Sequence, residues 1–184
     1  MKRFTVINLC RIAILIAVYF LLGVTLVIHT GNFKLTFVAL PVILAALLIG
    51  TPPALLVALL GEFLTQLLTF GLMPTTFLWV IPPMAWGLVG IAAGYAAKTR
   101  RPLEERPVFC YLACIAAGCL TSLLNTMALW LDSLIYDYYA FGFVFGSALL
   151  RVPKDIITAV IVATLAIPMA RILRRRGLVK ISDR

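Results

Sequence analysis

The sequence predicts an all-α membrane protein, a single integral membrane domain over residues 1–184 with six transmembrane helices and both termini in the cytoplasm. Three observations carry that reading. Hydrophobic residues make up 63% of the chain and charged residues 12%, with a mean hydropathy of +1.09, far from the composition of a water-soluble domain. The apolar residues fall into runs that, at about 1.5 Å per residue, approach or exceed the roughly 30 Å of a bilayer core. Lys and Arg gather in some of the polar connections and are nearly absent from others, which is the asymmetry that sets membrane topology.

The first expected span is 7–28, with Arg11 near its basic end and able to snorkel to the interface. It is too long for a signal-peptide core and lacks a small-residue cleavage site, so it is read as retained. A polar loop follows at 29–34. The second span, 35–50, is shorter and contains Pro41, and Thr51, Pro52 and Pro53 form a break from which a third helix can start with proline in its first turn. That third span, 54–70, carries Glu62 and, one turn on, Gln66 on the same face.

The fourth span, 77–97, contains Pro82 and Pro83, which should kink it, and Gly87, Gly90 and Gly94, which permit close helix contacts. The stretch 98–107 is the one long hydrophilic segment inside the chain. The fifth span, 108–131, holds Asn125 and Thr126, and an acid- and tyrosine-rich loop at 132–140 leads to the sixth, 141–173. Cys10, Cys110, Cys114 and Cys119 all lie in apolar segments without CxxC pairing and read as small packing residues.

The N-terminus, the 98–106 connection and the C-terminal tail hold nearly all the Lys and Arg, whereas the loops at 29–34, 71–76 and 132–140 hold only Lys34. Termini and basic connection therefore face the cytoplasm. The net charge of +9 is accounted for by these topogenic residues, so no nucleic-acid partner is implied.

Segment 149–157 stands out, because Arg151, Pro153, Lys154 and Asp155 interrupt an otherwise apolar run. Ionisable side chains at hydrocarbon depth are costly and mark functional sites. Counting residues from the helix ends puts Glu62 and Arg151 each roughly ten residues deep, near the membrane middle, where an ion pair between them is a candidate. Arg151 is the candidate ligand anchor, since a guanidinium binds carboxylate through a paired fork. Lys154 and Asp155, one turn deeper, read as structural. Trp79, Asn125, Trp130, Tyr138 and the neighbouring tyrosines belong to the outer half, and aromatic faces with a few polar groups suit a small planar ligand.

No GxxxxGK[ST] phosphate loop, HExxH motif, metal-ligand cluster or hydrolytic triad is present, which argues against an enzyme. No cofactor or metal is expected.

Several of these residues carry a family resemblance. Ala13 and Ala17 four apart in the first helix, segment 37–50 with Pro41, the run through Leu124, Asn125, Thr126, Leu129, Trp130 and Leu131, and then Arg151 and Lys154 resemble the substrate-binding (S) components of energy-coupling factor (ECF) transporters, nearest the folate-type branch. The chain departs from that branch at Gly50, Thr51 and Pro52, where the branch has Gly-Pro, and at Glu62, where it has aspartate. Pantothenate, a pyrimidine precursor and a queuosine-type compound therefore stand beside a folate-like ligand.

The resemblance implies a multi-pass protein of the bacterial cytoplasmic membrane that captures a vitamin from outside. Its implied partners are a membrane coupling subunit, met by the Ala13 and Ala17 face, and two cytoplasmic ATPases. The whole component is implied to topple in the membrane to release its substrate. Trp79, Asn125, Trp130, Arg151, Glu62, Gln66, Tyr138 and Lys34 are the expected ligand-site residues. The alternative is a membrane scaffold of the rod-shape-determining type, with tightly packed helices and no ligand cavity.

Overall fold

A computed structural model describes residues 6–25, 27–30, 33–98 and 102–176, without the side chains of residues 27–30 and 33–35. Helix α1 covers Val6–Thr25, and β1 (Val27–Thr30) and β2 (Phe33–Thr36) follow it. Then come α2 (Ala39–Leu48), α3 (Thr51–Phe70), α4 (Thr76–Val80), a 3-10 helix at Pro82–Leu88 and α5 (Val89–Lys98). A 3-10 turn at Leu103–Glu105 precedes α6 (Pro107–Ile135) and α7 (Phe141–Arg175).

Among the described residues, five stretches are helical, long and apolar enough to cross a membrane: α1, α3, the composite Thr76–Lys98, α6 and α7. The expected second span is different. It forms a helix of ten residues, about 15 Å long, half a bilayer core. Ala39 and the run Pro41–Leu47 are buried on every side, the mark of a helix enclosed by others rather than facing lipid. It packs against α1, α3, α5 and α7 and forms the centre of the core.

The first span ends three residues early because the chain turns into a hairpin instead of the expected loop. Val27 pairs with Thr36, Ile28 with Leu35, His29 with Lys34 and Thr30 with Phe33. Val, Ile, Thr and Phe favour strands, and Gly31 and Asn32 between them are hairpin-turn residues by type. The Lys34 side chain lies outside the described residues, as do Lys2, Arg3, Lys180 and Arg184.

Pro82 and Pro83 do interrupt the fourth span. The chain passes from α4 through the 3-10 helix to α5, as missing amide donors dictate. Of its glycines, Gly87 and Gly90 are contact points. A Cβ at Gly90 would stand 2.7 Å from the Thr51 backbone, and one at Gly87 2.9 Å from Leu55. A Cβ at Gly94 would meet nothing within 4 Å, so that glycine is not a packing position.

The fifth span runs past its expected end, because Asp132 and Ser133 are buried in α6 rather than solvated in a loop. Asp132 continues the helix since its carboxylate is partnered by Trp79 and Tyr138. Nor is the hydrophilic segment 98–107 wholly solvated. Glu104 is 1% exposed, with Oε1 2.7 Å from Arg174 Nε. Arg171 donates to the Glu104 carbonyl, and Arg174 Nη2 donates to the Leu47 carbonyl at 2.7 Å, capping the C-terminal end of α2. This clamp ties the basic connection to the ends of α2 and α7.

Candidate functional site

On α3, Glu62, Thr65, Gln66 and Thr69 stand at i, i+3, i+4 and i+7, which places them on one helical face. On α7, Arg151, Lys154, Asp155 and Thr158 repeat the same spacing. Both polar stripes line a single cavity of about 470 Å³, within the range of small-molecule sites. Trp79, Trp86, Thr121 and Asn125 complete its walls, and Thr36 and Val38 line it where the hairpin leads into α2.

The acidic edge is built by two helices. Tyr19 on α1, fully buried, donates from its hydroxyl to Glu62 Oε2 at 2.7 Å, and Gln66 Nε2 donates to Glu62 Oε1 at 2.7 Å. Gly61 makes this reach feasible, because a Cβ there would stand 2.6 Å from the Tyr19 ring. Glycine at that position lets α1 and α3 approach until the phenol lies over the α3 backbone.

The basic edge stands on the α6–α7 pair. A Cβ at Gly118 would come within 2.9 Å of the Asp155 carbonyl, so the two helices pack backbone to backbone there. One turn on, Ser122 donates to Asp155 Oδ2 at 2.5 Å, and Lys154 Nζ lies 2.9 Å from Asp155 Oδ1. Asp155 is thus neutralised and hydrogen-bonded, as a buried carboxylate requires. Arg151, half-buried, donates from Nη1 to the Asn125 carbonyl at 3.5 Å, the outer limit of a hydrogen bond. The Glu62–Arg151 ion pair allowed by depth counting is not among the ion pairs of the described residues; Tyr19 and Gln66 hold Glu62 on the other edge.

The threonines contribute acceptors. Thr65, Thr121 and Thr158 each donate to the backbone carbonyl four residues earlier, which leaves their oxygen lone pairs toward the cavity rather than their protons.

Of the residues expected at a ligand site, Trp79, Asn125, Arg151, Glu62 and Gln66 therefore line the cavity together, and Lys154 and Asp155 join them. Trp130 and Tyr138 do not line it. Trp130 is 39% exposed on the α6 surface, where indoles favour a membrane interface. Tyr138 donates to Asp132, whose other oxygen accepts from Trp79 Nε1 at 3.4 Å. Burial and this bond to Asp132 push the Tyr138 phenol up to about 12, so it stays protonated and donating at neutral pH. Among the described residues, Tyr138 is thereby linked to the cavity through Asp132 and then Trp79.

Sequence reasoning missed Tyr19, Trp86, Ser122 and the threonines. The α3 stripe was visible as a polar i, i+3, i+4, i+7 pattern. The Tyr19–Glu62 bond, spanning 43 positions, leaves no such local trace.

A family model for the substrate-specific component of ECF transporters matches residues 8–170. The chain belongs to this family. As an S component it is a transport subunit rather than an enzyme, the substrate-capture part of an ECF importer, which works with T and ATPase subunits on a small-molecule substrate. Its apolar helices make it a multi-pass membrane protein. No curated protein matches the S component's sequence. Ala13 and Ala17 lie exposed on the outer surface of α1.

Proposed function

We propose that this S component sits in a bacterial cytoplasmic membrane and captures a water-soluble vitamin or related micronutrient in the cavity between the α3 and α7 stripes. The observation that carries the reading is the convergence of two polar helix faces and two tryptophans on one cavity of about 470 Å³. A scaffold with no ligand has no use for that arrangement. Arg151 takes an anionic group of the ligand, which favours a folate-like molecule; pantothenate, a pyrimidine precursor and a queuosine-type compound are the alternatives. The side chains of Trp79, Asn125, Glu62 and Gln66 share the contact, and the hairpin bearing Lys34 closes over the cavity.

In this reading the chain crosses the membrane six times with both termini inside, α2 being a short, enclosed crossing. Charge distribution supports it, since the basic segments share one side. The exposed face of α1 with Ala13 and Ala17 meets the T subunit, because small residues allow backbones to approach closely.

Calorimetric titration of the purified protein with folate, pantothenate, orotate and a 7-deazaguanine base tests the ligand, and co-expression with the T and ATPase subunits tests the partners. The expected result is tight binding of one compound and copurification of the partners. Failure of both outcomes would sink the proposal.

A further inference from the structure

Trp79 lines the cavity from a very short element. Helix α4 has five residues, barely more than one turn, and Pro82 and Pro83 follow it without amide donors. Phe77 stacks on Phe63 of α3 with ring centroids 6.4 Å apart and steadies α4 from that side. A single turn of helix does not by itself fix the plane of a two-ring side chain. On the α6 side the hold is a hydrogen bond spanning 53 positions, from Trp79 Nε1 to Asp132 Oδ1 at 3.4 Å.

Asp132 is held in its turn. Tyr136 N–H donates to the Asp132 carbonyl and Tyr138 N–H to the Ser133 carbonyl, each at 3.0 Å, with Asp137 between them at φ 56°. This is the helix closure in which a left-handed residue, usually glycine, reverses the chain, and aspartate is among the few other residues that tolerate that conformation. The reversal brings the Tyr138 hydroxyl back onto Asp132 Oδ2. The tyrosine ring also meets Phe143 of α7 edge-on, with centroids 6.2 Å apart and planes at 76°. Each carboxylate oxygen of Asp132 therefore has a donor, one from the cavity wall and one from the 136–140 connection.

An indole has a single donor. In Trp79 that donor is committed to Asp132, so the side chain gives the cavity ring surface rather than a hydrogen bond. Resting on the capture function proposed above, we infer that Asp132 is a positioning residue of the site: it sets the plane of the Trp79 ring against which a bound molecule packs, and Tyr138 holds Asp132 in place. The connection beyond α6 and the wall of the cavity form one hydrogen-bonded unit.

Full-length protein in detergent, labelled with nitrogen-15 in its three indoles, reports this bond by nuclear magnetic resonance without any added probe. Trp79→Phe assigns the Trp79 N–H signal. Asp132→Ala should shift that signal and speed its exchange with water roughly 10-fold, the ratio expected for a lost hydrogen bond to a charged group, with the Trp86 and Trp130 signals in place. Asp132→Asn keeps an oxygen acceptor and should restore most of the protection. Tyr138→Phe, at a side chain that is 41% exposed, should speed the exchange a few-fold and carries the test if Asp132→Ala does not fold. An unmoved Trp79 signal in either variant would overturn the inference, and so would equal movement of all three signals, the mark of a general loss of packing.

Native mass spectrometry reads the consequence for capture, with the molecule that wild-type protein retains from cells as its probe. Asp132→Ala should lower occupancy several-fold in the wild-type background and no further in the W79F background, where the N–H is gone. An equal loss in both backgrounds overturns the inference and leaves capture standing. A wild-type protein that retains nothing overturns the capture function alone, and the indole signals then decide whether Asp132 holds Trp79.

Discussion

Arg151 and Lys154 are three residues apart on the same stripe, yet their surroundings divide their roles. Lys154 is paired with Asp155, whereas Arg151, among the described residues, has one hydrogen bond, to the Asn125 carbonyl at 3.5 Å. Arg151→Ala should therefore lower affinity for an anionic ligand by about 10- to 100-fold, with little change in thermal stability. Lys154→Ala should do the opposite: affinity falls less than about 5-fold, while the melting temperature drops because Asp155 is left buried without its counter-charge. Titration calorimetry and thermal unfolding of the two variants separate these effects, and equal losses of affinity would refute the division. Spacing alone made this segment conspicuous in the sequence. It did not show which charge was already satisfied, because Ser122, the third partner, lies 33 positions away on α6.

At the scale of elements, two glycines make contrasting predictions. Gly61→Ala drives a Cβ against the Tyr19 ring at 2.6 Å and should destabilise by about 1–3 kcal/mol while displacing the hydroxyl that orients Glu62. Gly94→Ala meets nothing within 4 Å on a helix and should be neutral or stabilising by up to about 1 kcal/mol. Thermal unfolding in detergent reads both, and similar melting shifts would contradict the packing described for α1 and α3. The outer face of α1 gives a third prediction. Ala13→Leu with Ala17→Leu adds bulk where both side chains are exposed, so folding and ligand binding should persist while copurification of the T subunit falls several-fold. Retained complex formation would remove that face from the interface. These elements were unevenly legible. The long apolar helices announce themselves by length and hydropathy, and the proline pair marked the break in the fourth span. The short α2 and the extension of α6 through Asp132 were not, since the first depends on enclosure by four other helices and the second on partners in α4 and the 136–140 connection. The hairpin after α1 did have a local signal, β-branched residues about Gly31 and Asn32, overshadowed by the apolar run before it.

Across the whole molecule, the acidic edge rests on the α1–α3 pair and the basic edge on the α6–α7 pair, with the enclosed α2 packing against α1, α3 and α7. A molecule held by both edges bridges two halves of the bundle, and α1 carries Tyr19 on its buried side and Ala13 and Ala17 on its exposed side. That links the cavity physically to the surface proposed to meet the T subunit. The helical membrane architecture was readable from composition and spacing, and the family from a resemblance in its motifs. Among the cavity's polar residues, Glu62, Gln66, Asn125, Arg151, Lys154 and Asp155 were conspicuous and the threonines were not. The polarity of the cavity was not, because it depends on which long-range neighbour each charged group finds. Native mass spectrometry of wild-type and Arg151→Ala protein, purified side by side without added ligand, tests the central claim of capture in this cavity most directly. Wild-type protein should carry one small molecule per chain and the variant should be largely empty; a wild-type chain with no bound molecule, or equal occupancy in both proteins, would contradict the account.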